Sequence, residues 1–259
     1  MLTVTIDGKQ TQVDPDTTIL HAARQVGVEI PTLCHHEALE GYASCRVCIV
    51  ELKRGKRTRV VTACNYPIQE DGLEVLTNTE RILNDRKIIV QMLLARCWDS
   101  TVVREFAARL GITDTPFEKN HGEECILCGL CVNVCRDLIG AAAIGFESRG
   151  VERKVGVPFH LASDACIGCG ACVYVCPTQC IKMEDLAEKR VIEQWQGDYP
   201  LLQCKECGAR FGTAKQLAFL LDRLSSAKEY LEKCPKCRTK DYTEQLAKCE
   251  GTVKQEGVR

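Results

Sequence analysis

Alternation between apolar and polar positions predicts several short strands in the first third of the chain. The alternation at 2–7 and 11–14, on either side of Gly8, predicts a β-hairpin. Three more strands are predicted, at 48–53, 58–63 and 73–77. A helix is predicted between the hairpin and these strands, and this order favours a small mixed β-grasp sheet.

That helix has Asp16 or Thr17 as its predicted cap and ends at Gly27. Its apolar face carries Ile19, Leu20, Ala22, Ala23 and Val26.

Two further amphipathic helices follow the last strand. The first is capped by Thr77 or Thr79, and the second begins near Ser100 and ends at Gly111. The apolar face of the first is predicted to carry Ile82, Ile88, Ile89, Met92 and Leu93. The apolar face of the second is predicted to carry Val102, Val103, Phe106, Ala107 and Leu110. Neither helix contains a set of metal ligands, so both are interpreted as a connector.

Cysteine spacing changes this picture most. Sixteen of the 19 cysteines fall into four sets with metal-ligand spacing. The first set is Cys34, Cys45, Cys48 and Cys64. The second and third are repeats, Cys125, Cys128, Cys131 and Cys135, then Cys166, Cys169, Cys172 and Cys176. The fourth consists of two C-x2-C pairs, Cys204, Cys207, Cys234 and Cys237.

The first set is interpreted as the ligands of a [2Fe–2S] cluster, because iron in a cluster requires thiolates and a loop that approaches the sulfur closely. The loop Gly41–Cys48 is rich in small residues. Plant-type proteins begin with C-x4-C-x2-C, whereas here ten residues separate Cys34 from Cys45. A structural zinc is the alternative.

The repeated C-x2-C-x2-C-x3-C run is that of bacterial ferredoxins with two [4Fe–4S] clusters, in which the fourth cysteine of each run binds the other cluster. One cluster is predicted on Cys125, Cys128, Cys131 and Cys176. The other is predicted on Cys166, Cys169, Cys172 and Cys135. About 30 residues separate the runs and leave room for a strand-rich insertion around Gly145–Pro158.

The fourth set favours a zinc ribbon, since four thiolates in a tetrahedron suit zinc. A single rubredoxin-like iron and a further cluster are the alternatives. The segment Lys215–Tyr230 between the pairs is leucine-rich and predicted helical, so it could dock on a partner. Because all twelve cluster ligands precede residue 177, removing residues 200–259 is expected to leave the cluster signals intact.

Composition and charge exclude several classes of protein. The formal net charge is -1 when every thiol is counted as neutral. Each oxidised cluster or zinc with four thiolates carries a formal charge of about −2, so four such sites bring the loaded protein to about −9. Nucleic acid is therefore not expected as a partner. The chain has no run of about 18 apolar residues and no recognisable leader, which predicts a cytoplasmic protein without a membrane span. These spacings are not those of a disulfide framework.

The fold class predicted from these features is α+β, with four modules and a tail. They are a β-grasp [2Fe–2S] ferredoxin-like domain at 1–78, a helical connector at 79–118, a bacterial-type two-[4Fe–4S] ferredoxin domain at 119–190, a small zinc-ribbon-like domain at 198–245 and a flexible tail at 246–259.

The first 185 residues resemble the electron-transfer part of the large iron–sulfur subunit of NADH dehydrogenase. They are equally similar to the small subunit of NAD-linked hydrogenases and formate dehydrogenases. The stretches that carry the resemblance are Ile30–Cys34, Ala43–Val50, Thr62–Pro67, Thr77–Glu80 and the runs from Glu124 and Ala165. In that family these segments hold one [2Fe–2S] and two [4Fe–4S] clusters, which relay electrons between a flavin subunit and a catalytic subunit.

Two departures qualify the resemblance. The family commonly carries a further [4Fe–4S] cluster on one histidine and three cysteines, but Leu94–Gly111 offers only Cys97. That cluster is therefore expected to be missing. The C-terminal ribbon lies outside the resemblance.

The resemblance implies a subunit without catalysis of its own in an NADH-linked oxidoreductase of anaerobic metabolism. Its implied partners are a flavin/NAD(H)-binding subunit, a catalytic hydrogenase, formate dehydrogenase or other low-potential reductase subunit, and a ferredoxin. No phosphate-binding or dinucleotide-binding glycine motif is visible. The alternatives are a stand-alone iron–sulfur oxidoreductase and a redox-sensing binding protein.

Five further residues lie near the sets. Cys97 and Cys180 are interpreted as packing residues, with a vestigial ligand as the alternative for Cys97, and Cys249 as a free thiol. His35 and His36 flank Cys34 and are expected to form hydrogen bonds or face solvent, because four thiolates already complete that site.

Overall fold

The computed structural model describes residues 1–224 and 227–253, with side chains as far as residue 247. It separates into two compact units. The first contains Met1–Gly140, Phe146–Val155 and Ala171–Cys180. The second contains Ala141–Gly145, Gly156–Gly170 and the chain from Ile181 onward.

The first unit begins with a mixed five-stranded sheet and one helix. The strands are β1 (Leu2–Ile6), β2 (Lys9–Val13), β3 (Ile49–Arg54), β4 (Arg57–Thr62) and β5 (Leu73–Leu76), and the helix is α1 (Ile19–Gln25). The strand order is β2-β1-β5-β3-β4. Strands β1 and β5 pair in parallel and the other neighbours antiparallel. The hairpin, the three later strands and the helix are confirmed as predicted.

The cap predicted for α1 is wrong by one or two residues. The helix is capped by Thr18, whose side-chain oxygen accepts a hydrogen bond from the backbone N–H of His21. Asp16 instead lies in a turn with a φ of 67°. The sequence offered three adjacent capping side chains at 16–18, and only the turn geometry selects among them.

The connector consists of α2 (Glu80–Arg96), capped by Thr79, and α3 (Thr101–Arg109), capped by Ser100. The apolar face predicted for α2 is confirmed at Ile82, Ile89 and Leu93, which are buried or pack against the core. It is wrong at Ile88 and Met92, which are exposed. The buried face of α2 carries Ile82, Arg86, Val90, Leu94 and Ala95. The face predicted for α3 is confirmed at its centre, since Val103 and Ala107 are fully buried.

Short elements surround the two repeated cysteine runs. They are α4 (Leu130–Asn133), a π-helical turn at Val134–Ile139, β6 (Gly145–Glu147), β7 (Lys154–Gly156) and α5 (Ala171–Tyr174). Strands β6 and β7 pair with each other, which confirms the strand-rich insertion.

The second unit contains a four-stranded antiparallel sheet that the sequence did not reveal. Its strands are β8 (Met183–Asp185), β9 (Lys189–Ile192), β10 (Gly197–Gln203) and β11 (Arg210–Thr213), in the order β11-β10-β9-β8. The sheet spans both sides of the predicted boundary between 190 and 198, so those residues form a strand pair instead of a linker.

Among the described residues, three α-helices follow this sheet. They are α6 (Ala214–Arg223), α7 (Lys228–Leu231) and α8 (Pro235–Val253). The predicted tail at 246–259 falls on α8 as far as Val253 and beyond that point lies outside the described residues, as does the side chain of Cys249. In the described part of the chain, no helix is both long and apolar enough to cross a membrane.

Candidate iron–sulfur and metal sites

The first cysteine set closes around the edge of the five-stranded sheet. Cys34 lies in the loop after α1, Cys45 and Cys48 lie in the loop that enters β3, and Cys64 follows β4. All four are buried, with exposures of 2%, 6%, 1% and 2%. The structure therefore brings together the four ligands predicted for the [2Fe–2S] cluster in a site shielded from water.

Within this set the thiols form two pairs. The Cys34 thiol donates to Cys45, which lowers the pKa of Cys45 to about 6 and raises the pKa of Cys34. The Cys64 thiol donates to Cys48 in the same way, which lowers the pKa of Cys48 and raises the pKa of Cys64. Two pairs of thiols suit two metal ions that each take two protein ligands.

Backbone contacts fix the loops of this site. The N–H of Cys45 donates to the sulfur of Cys34 at 3.3 Å. A Cβ added at Gly41 would lie 2.2 Å from the carbonyl oxygen of Cys64. Because no real Cβ comes so close to another atom, this position in the loop requires glycine.

Arg86 holds the same loop from α2, and sequence reasoning missed it. Its guanidinium donates to the carbonyl oxygens of Val47 at 3.0 Å, Ile49 at 2.9 Å and Thr77 at 3.2 Å. Burial lowers the pKa of Arg86, and the nearby Cys48 opposes that effect. The signal in the sequence was an arginine four residues after Ile82, on the helix face that proved to be buried.

The two histidines beside Cys34 differ in their surroundings. His36 accepts a hydrogen bond from the N–H of Ala38 at 3.2 Å, as expected of a hydrogen-bonding residue. The side chain of His35 is 5% exposed, and burial lowers its pKa.

The second set occupies a loop that leads into α4. The N–H of Leu127 donates to the sulfur of Cys125 at 3.4 Å, and Arg96 of the connector donates to the carbonyl of Cys125 at 2.8 Å. Gly129 has a φ of 80°, and a Cβ there would lie 3.2 Å from the ring of Tyr42. The N–H of Leu127 thus faces sulfur, as backbone N–H groups do in cluster loops.

Burial affects the second set as well. It raises the pKa of Cys128 to about 11 and raises the pKa of Cys131. Without a cation these thiols stay protonated, so a bound metal must supply the positive charge that holds them as thiolates.

Cys97 and Cys180 lie close to this set. Cys97 is fully buried at the end of α2, and burial raises its pKa to about 12. The sulfur of Cys180 lies 3.6 Å from that of Cys176, and its thiol also contacts Cys125. Cys180 therefore sits beside two predicted ligands, whereas Cys97 packs in the core as predicted.

The first and second sets share one hydrophobic cluster. This cluster contains Cys34 and Cys45 of the first set, Cys128 of the second, and Val47 and Leu94 between them. Ser44 of the first loop also donates to the carbonyl of Leu127 in the second at 2.9 Å. The two candidate sites are thus neighbours within the first unit.

The third set is divided between the units, with Cys172 and Cys176 in the first and Cys166 and Cys169 in the second. In the second unit, the sheet holds the loop that contains Cys166 and Cys169. Thr213 donates to the carbonyl of Ile167 and Arg190 to that of Gly168.

Gly168 itself packs tightly against this sheet. It has a φ of 64°, and a Cβ there would lie 2.6 Å from the ring of Tyr199. These contacts argue against the expectation that residues 200–259 can be removed without affecting the clusters. Thr213 lies in that segment, Tyr199 directly precedes it on β10, and both contact the loop of Cys166 and Cys169.

The fourth set is the most compact. Cys204 follows β10, Cys207 lies in the next turn, and Cys234 and Cys237 lie at the start of α8. The four sulfur atoms lie within 4.8 Å of one another, with Cys207 and Cys234 3.7 Å apart. The N–H of Cys234 donates to Cys204 at 3.2 Å. Backbone hydrogen bonds, first of all from Cys207, lower the pKa of Cys204 to about 6.

Comparison with protein families finds iron–sulfur cluster domains in two parts of the chain. Residues 1–80 match a 2Fe-2S iron-sulfur cluster binding domain. Residues 119–183 and 165–210 match two overlapping 4Fe-4S dicluster domains. The chain therefore contains a [2Fe–2S] domain and a [4Fe–4S] dicluster domain.

Several curated proteins are similar to this chain. The NADP-reducing hydrogenase subunit HndD of Solidesulfovibrio fructosivorans is 35% identical over 209 residues, 69% of this chain and 35% of that protein. The alpha subunit of the NADPH-Fe(3+) oxidoreductase of Geobacter sulfurreducens is 33% identical over 58% of this chain and 20% of that protein. An NADH-quinone oxidoreductase subunit of Rhizobium meliloti is 32% identical over 60% of this chain and 21% of that protein. This chain thus spans about a third or less of these relatives.

One solved structure adds to the comparison. The NAD+-reducing [NiFe]-hydrogenase in its H2-reduced state matches with a TM-score of 0.53 and 26% identity, over 61% of this chain and 75% of that chain. The resemblance expected from the sequence, to iron–sulfur subunits of NAD(P)-linked hydrogenases and NADH dehydrogenases, is confirmed.

Proposed function

We propose that this chain is an electron-transfer subunit that relays electrons between a flavin/NAD(H)-binding subunit and a catalytic subunit. The observation that carries this proposal is the hydrophobic cluster shared by Cys45 and Cys128. This cluster places the first and second cysteine sets next to each other, and the iron–sulfur clusters that they would bind accept and release single electrons. The residues of the chain bury these sites, orient the thiolates and exclude water.

The pairing of thiols supports a ligand assignment for the [2Fe–2S] cluster. Cys34 and Cys45 hold one iron, and Cys48 and Cys64 hold the other. A single structural zinc is the less suitable occupant, because it would need all four sulfur atoms at the corners of one small tetrahedron. The hydrogen-bonded thiols instead form two separate pairs.

The ligands of the two [4Fe–4S] clusters follow the repeated runs. The first cluster takes Cys125, Cys128, Cys131 and Cys176, and the second takes Cys166, Cys169, Cys172 and Cys135. In the first unit, Cys176 acts on the pKa values of Cys128 and Cys131. That proximity supports the assignment in which the fourth cysteine of each run binds the cluster of the other run.

The fourth set is proposed to hold one zinc ion. Zinc–sulfur bonds of about 2.3 Å in a tetrahedron place the sulfur atoms about 3.8 Å apart, and Cys207 and Cys234 lie 3.7 Å apart. A cubane bonds each thiolate to a different iron and needs more space between them. One dicluster match includes Cys204 and Cys207, but their sulfur atoms group with Cys234 and Cys237.

The nature of the partners is inferred from the relatives. Their names refer to NADP-reducing hydrogenase, NADPH-Fe(3+) oxidoreductase and NADH-quinone oxidoreductase. We propose an NAD(P)H-linked flavoprotein on one side of this subunit. On the other we propose a hydrogenase, formate dehydrogenase or other low-potential reductase, with a ferredoxin as a further electron carrier. A reducing cytoplasm would keep sixteen ligand thiols available.

Metal analysis tests the proposal. The anaerobically purified chain is expected to contain about ten iron atoms, from one [2Fe–2S] and two [4Fe–4S] clusters, and one zinc. A content of fourteen iron and no zinc would instead assign a third cubane to the fourth set. A content of two iron or fewer would contradict the relay.

A further inference from the structure

Two histidines and one glutamate converge next to the [2Fe–2S] site. His21 lies on α1, and His35 and Glu37 lie in the loop directly after Cys34. The Nε2 atom of His21 lies 3.4 Å from Oε2 of Glu37, and the Nε2 atom of His35 lies 3.3 Å from Oε1 of the same carboxylate. Donor atoms of all three lie within 4.8 Å of one another.

The surroundings of His35 independently indicate that His21, His35 and Glu37 bind a ligand. Its side chain is 5% exposed. Among the residues that the structure describes, neither of its ring nitrogens has a partner with hydrogen-bond geometry. A buried ring nitrogen without a hydrogen-bond partner destabilises the fold unless a ligand satisfies it. The Nε2 atom of His35 faces the Glu37 carboxylate, so a cation bound by that carboxylate would also lie next to this nitrogen.

A hydrogen bond to Thr18 orients the ring of His21 towards Glu37. Its Nδ1 lies 2.7 Å from the side-chain oxygen of Thr18, the residue that caps α1. When Nδ1–H donates to this oxygen, Nε2 keeps its lone pair and faces Glu37. Histidines that bind metal commonly donate their other ring N–H to an oxygen acceptor, which fixes the ring, and the Thr18 hydroxyl is such an acceptor here.

We propose that His21, His35 and Glu37 form a binding site for a divalent transition-metal cation of the Zn²⁺ class. Two imidazoles and one carboxylate are an established zinc donor set, and the fourth position is left to water. Arg24 contacts the carboxylate of Glu37 and competes for it, so binding requires the carboxylate to turn from the guanidinium to the cation. The site is accessible, since the side chains of His21 and Glu37 are 47% and 62% exposed.

The site would act on the neighbouring cluster, a consequence that rests on the proposed function. His35 is joined by one peptide bond to Cys34, a proposed cluster ligand. A positive charge so close favours the more negative, reduced form of a [2Fe–2S] cluster. The bound cation is therefore expected to raise the reduction potential of that cluster and to make it a better electron acceptor.

The test is a titration of the full cluster-loaded chain with Zn²⁺ after its fourth cysteine set has been filled. The wild-type chain is expected to bind one further equivalent, and His21→Ala to bind it at least tenfold more weakly. Arg24→Ala should bind more tightly than wild type, because the carboxylate loses its competitor. His121→Ala is the matched control. It removes a histidine that also pairs with a carboxylate, that of Asp99, and it should bind like wild type.

Two results would overturn the proposal: no equivalent beyond the filled cysteine set, or equal affinity in His21→Ala and wild type. An unchanged [2Fe–2S] signal shows that each variant is folded. Redox titration provides the second measurement, in which Zn²⁺ should raise the cluster potential in wild type and leave it unchanged in His21→Ala. A chain that bound Zn²⁺ here but held no [2Fe–2S] cluster would contradict the proposed function and leave the cation site standing.

Discussion

Arg86 shows how one buried side chain can organise a cluster loop. Its guanidinium donates hydrogen bonds to three carbonyl oxygens. Two of them, those of Val47 and Ile49, lie where the loop of Cys45 and Cys48 enters β3. Arg86→Met keeps much of the volume but removes these three hydrogen bonds, which costs roughly 3 kcal/mol or more. We expect the variant to lose its [2Fe–2S] absorption and EPR signal at a lower denaturant concentration than wild type.

Arg81→Met is the control, because Arg81 lies on the same helix with a side chain that is 58% exposed. It should behave like wild type. Equal sensitivity of the two variants would show that Arg86 does not support the loop.

Gly41 gives a second prediction at this scale. Gly41→Ala would force a Cβ against the carbonyl oxygen of Cys64, so the loop must move and displace a ligand. We expect a large loss of [2Fe–2S] occupancy, measured as iron content and EPR intensity. Gly145→Ala should have no such effect, because a Cβ there meets no atom within 4 Å. Full occupancy in Gly41→Ala would contradict the geometry described for this site.

Among the elements, those governed by local sequence were predicted well. The hairpin, the strands β3–β5 and the helices α1–α3 follow from periodicity and capping residues within a few neighbouring positions. The buried face of α2 followed only in part, because Arg86 is buried through hydrogen bonds to carbonyl groups outside its own helix. The sheet β8–β11 was missed as well, since its strands are short and only their pairing with one another stabilises them.

At the sites too, features set by local sequence were predicted and features that depend on distant contacts were not. The C-x2-C spacing is set by local turn geometry, so at least one closely spaced pair of cysteines marks every set. What supports the loops, namely Arg86, Thr213 and Tyr199, comes from distant elements and leaves no such pattern. The site of His21, His35 and Glu37 likewise depends on a helix and a loop that only the folded chain brings together.

The sheet of the second unit leads to a prediction about truncation. Removing residues 200–259 deletes Thr213 and most of β10, the strand that positions Tyr199, and both residues support the loop of Cys166 and Cys169. We expect the signal of one [4Fe–4S] cluster to be lost or strongly weakened while the [2Fe–2S] signal remains. Thr213→Val should weaken the same signal to a smaller degree, since it leaves the buried carbonyl of Ile167 unpaired at a cost of about 1–3 kcal/mol.

A shorter truncation after residue 246 is the control. It removes the end of α8 but keeps Cys237 and the whole sheet, so all cluster signals should persist. If the longer truncation also kept every signal at full intensity, the sheet would have no part in holding the cluster loop.

At the scale of the whole molecule, the chain combines neighbouring thiolate sites with segments that resemble parts of larger NAD(P)-linked proteins. It spans about a third or less of those curated relatives. The proposed role as a relay requires that this chain exchange electrons with NAD(P)H only through a partner that binds the nucleotide.

Electron entry tests this central claim most directly. The cluster-loaded chain, alone and in its native complex, is mixed anaerobically with NADH and frozen for EPR, with dithionite as the control reductant. We predict that dithionite reduces the clusters in both samples. NADH should reduce them only in the complex that contains the flavoprotein. Oxidation of NADH by the chain alone would contradict the account.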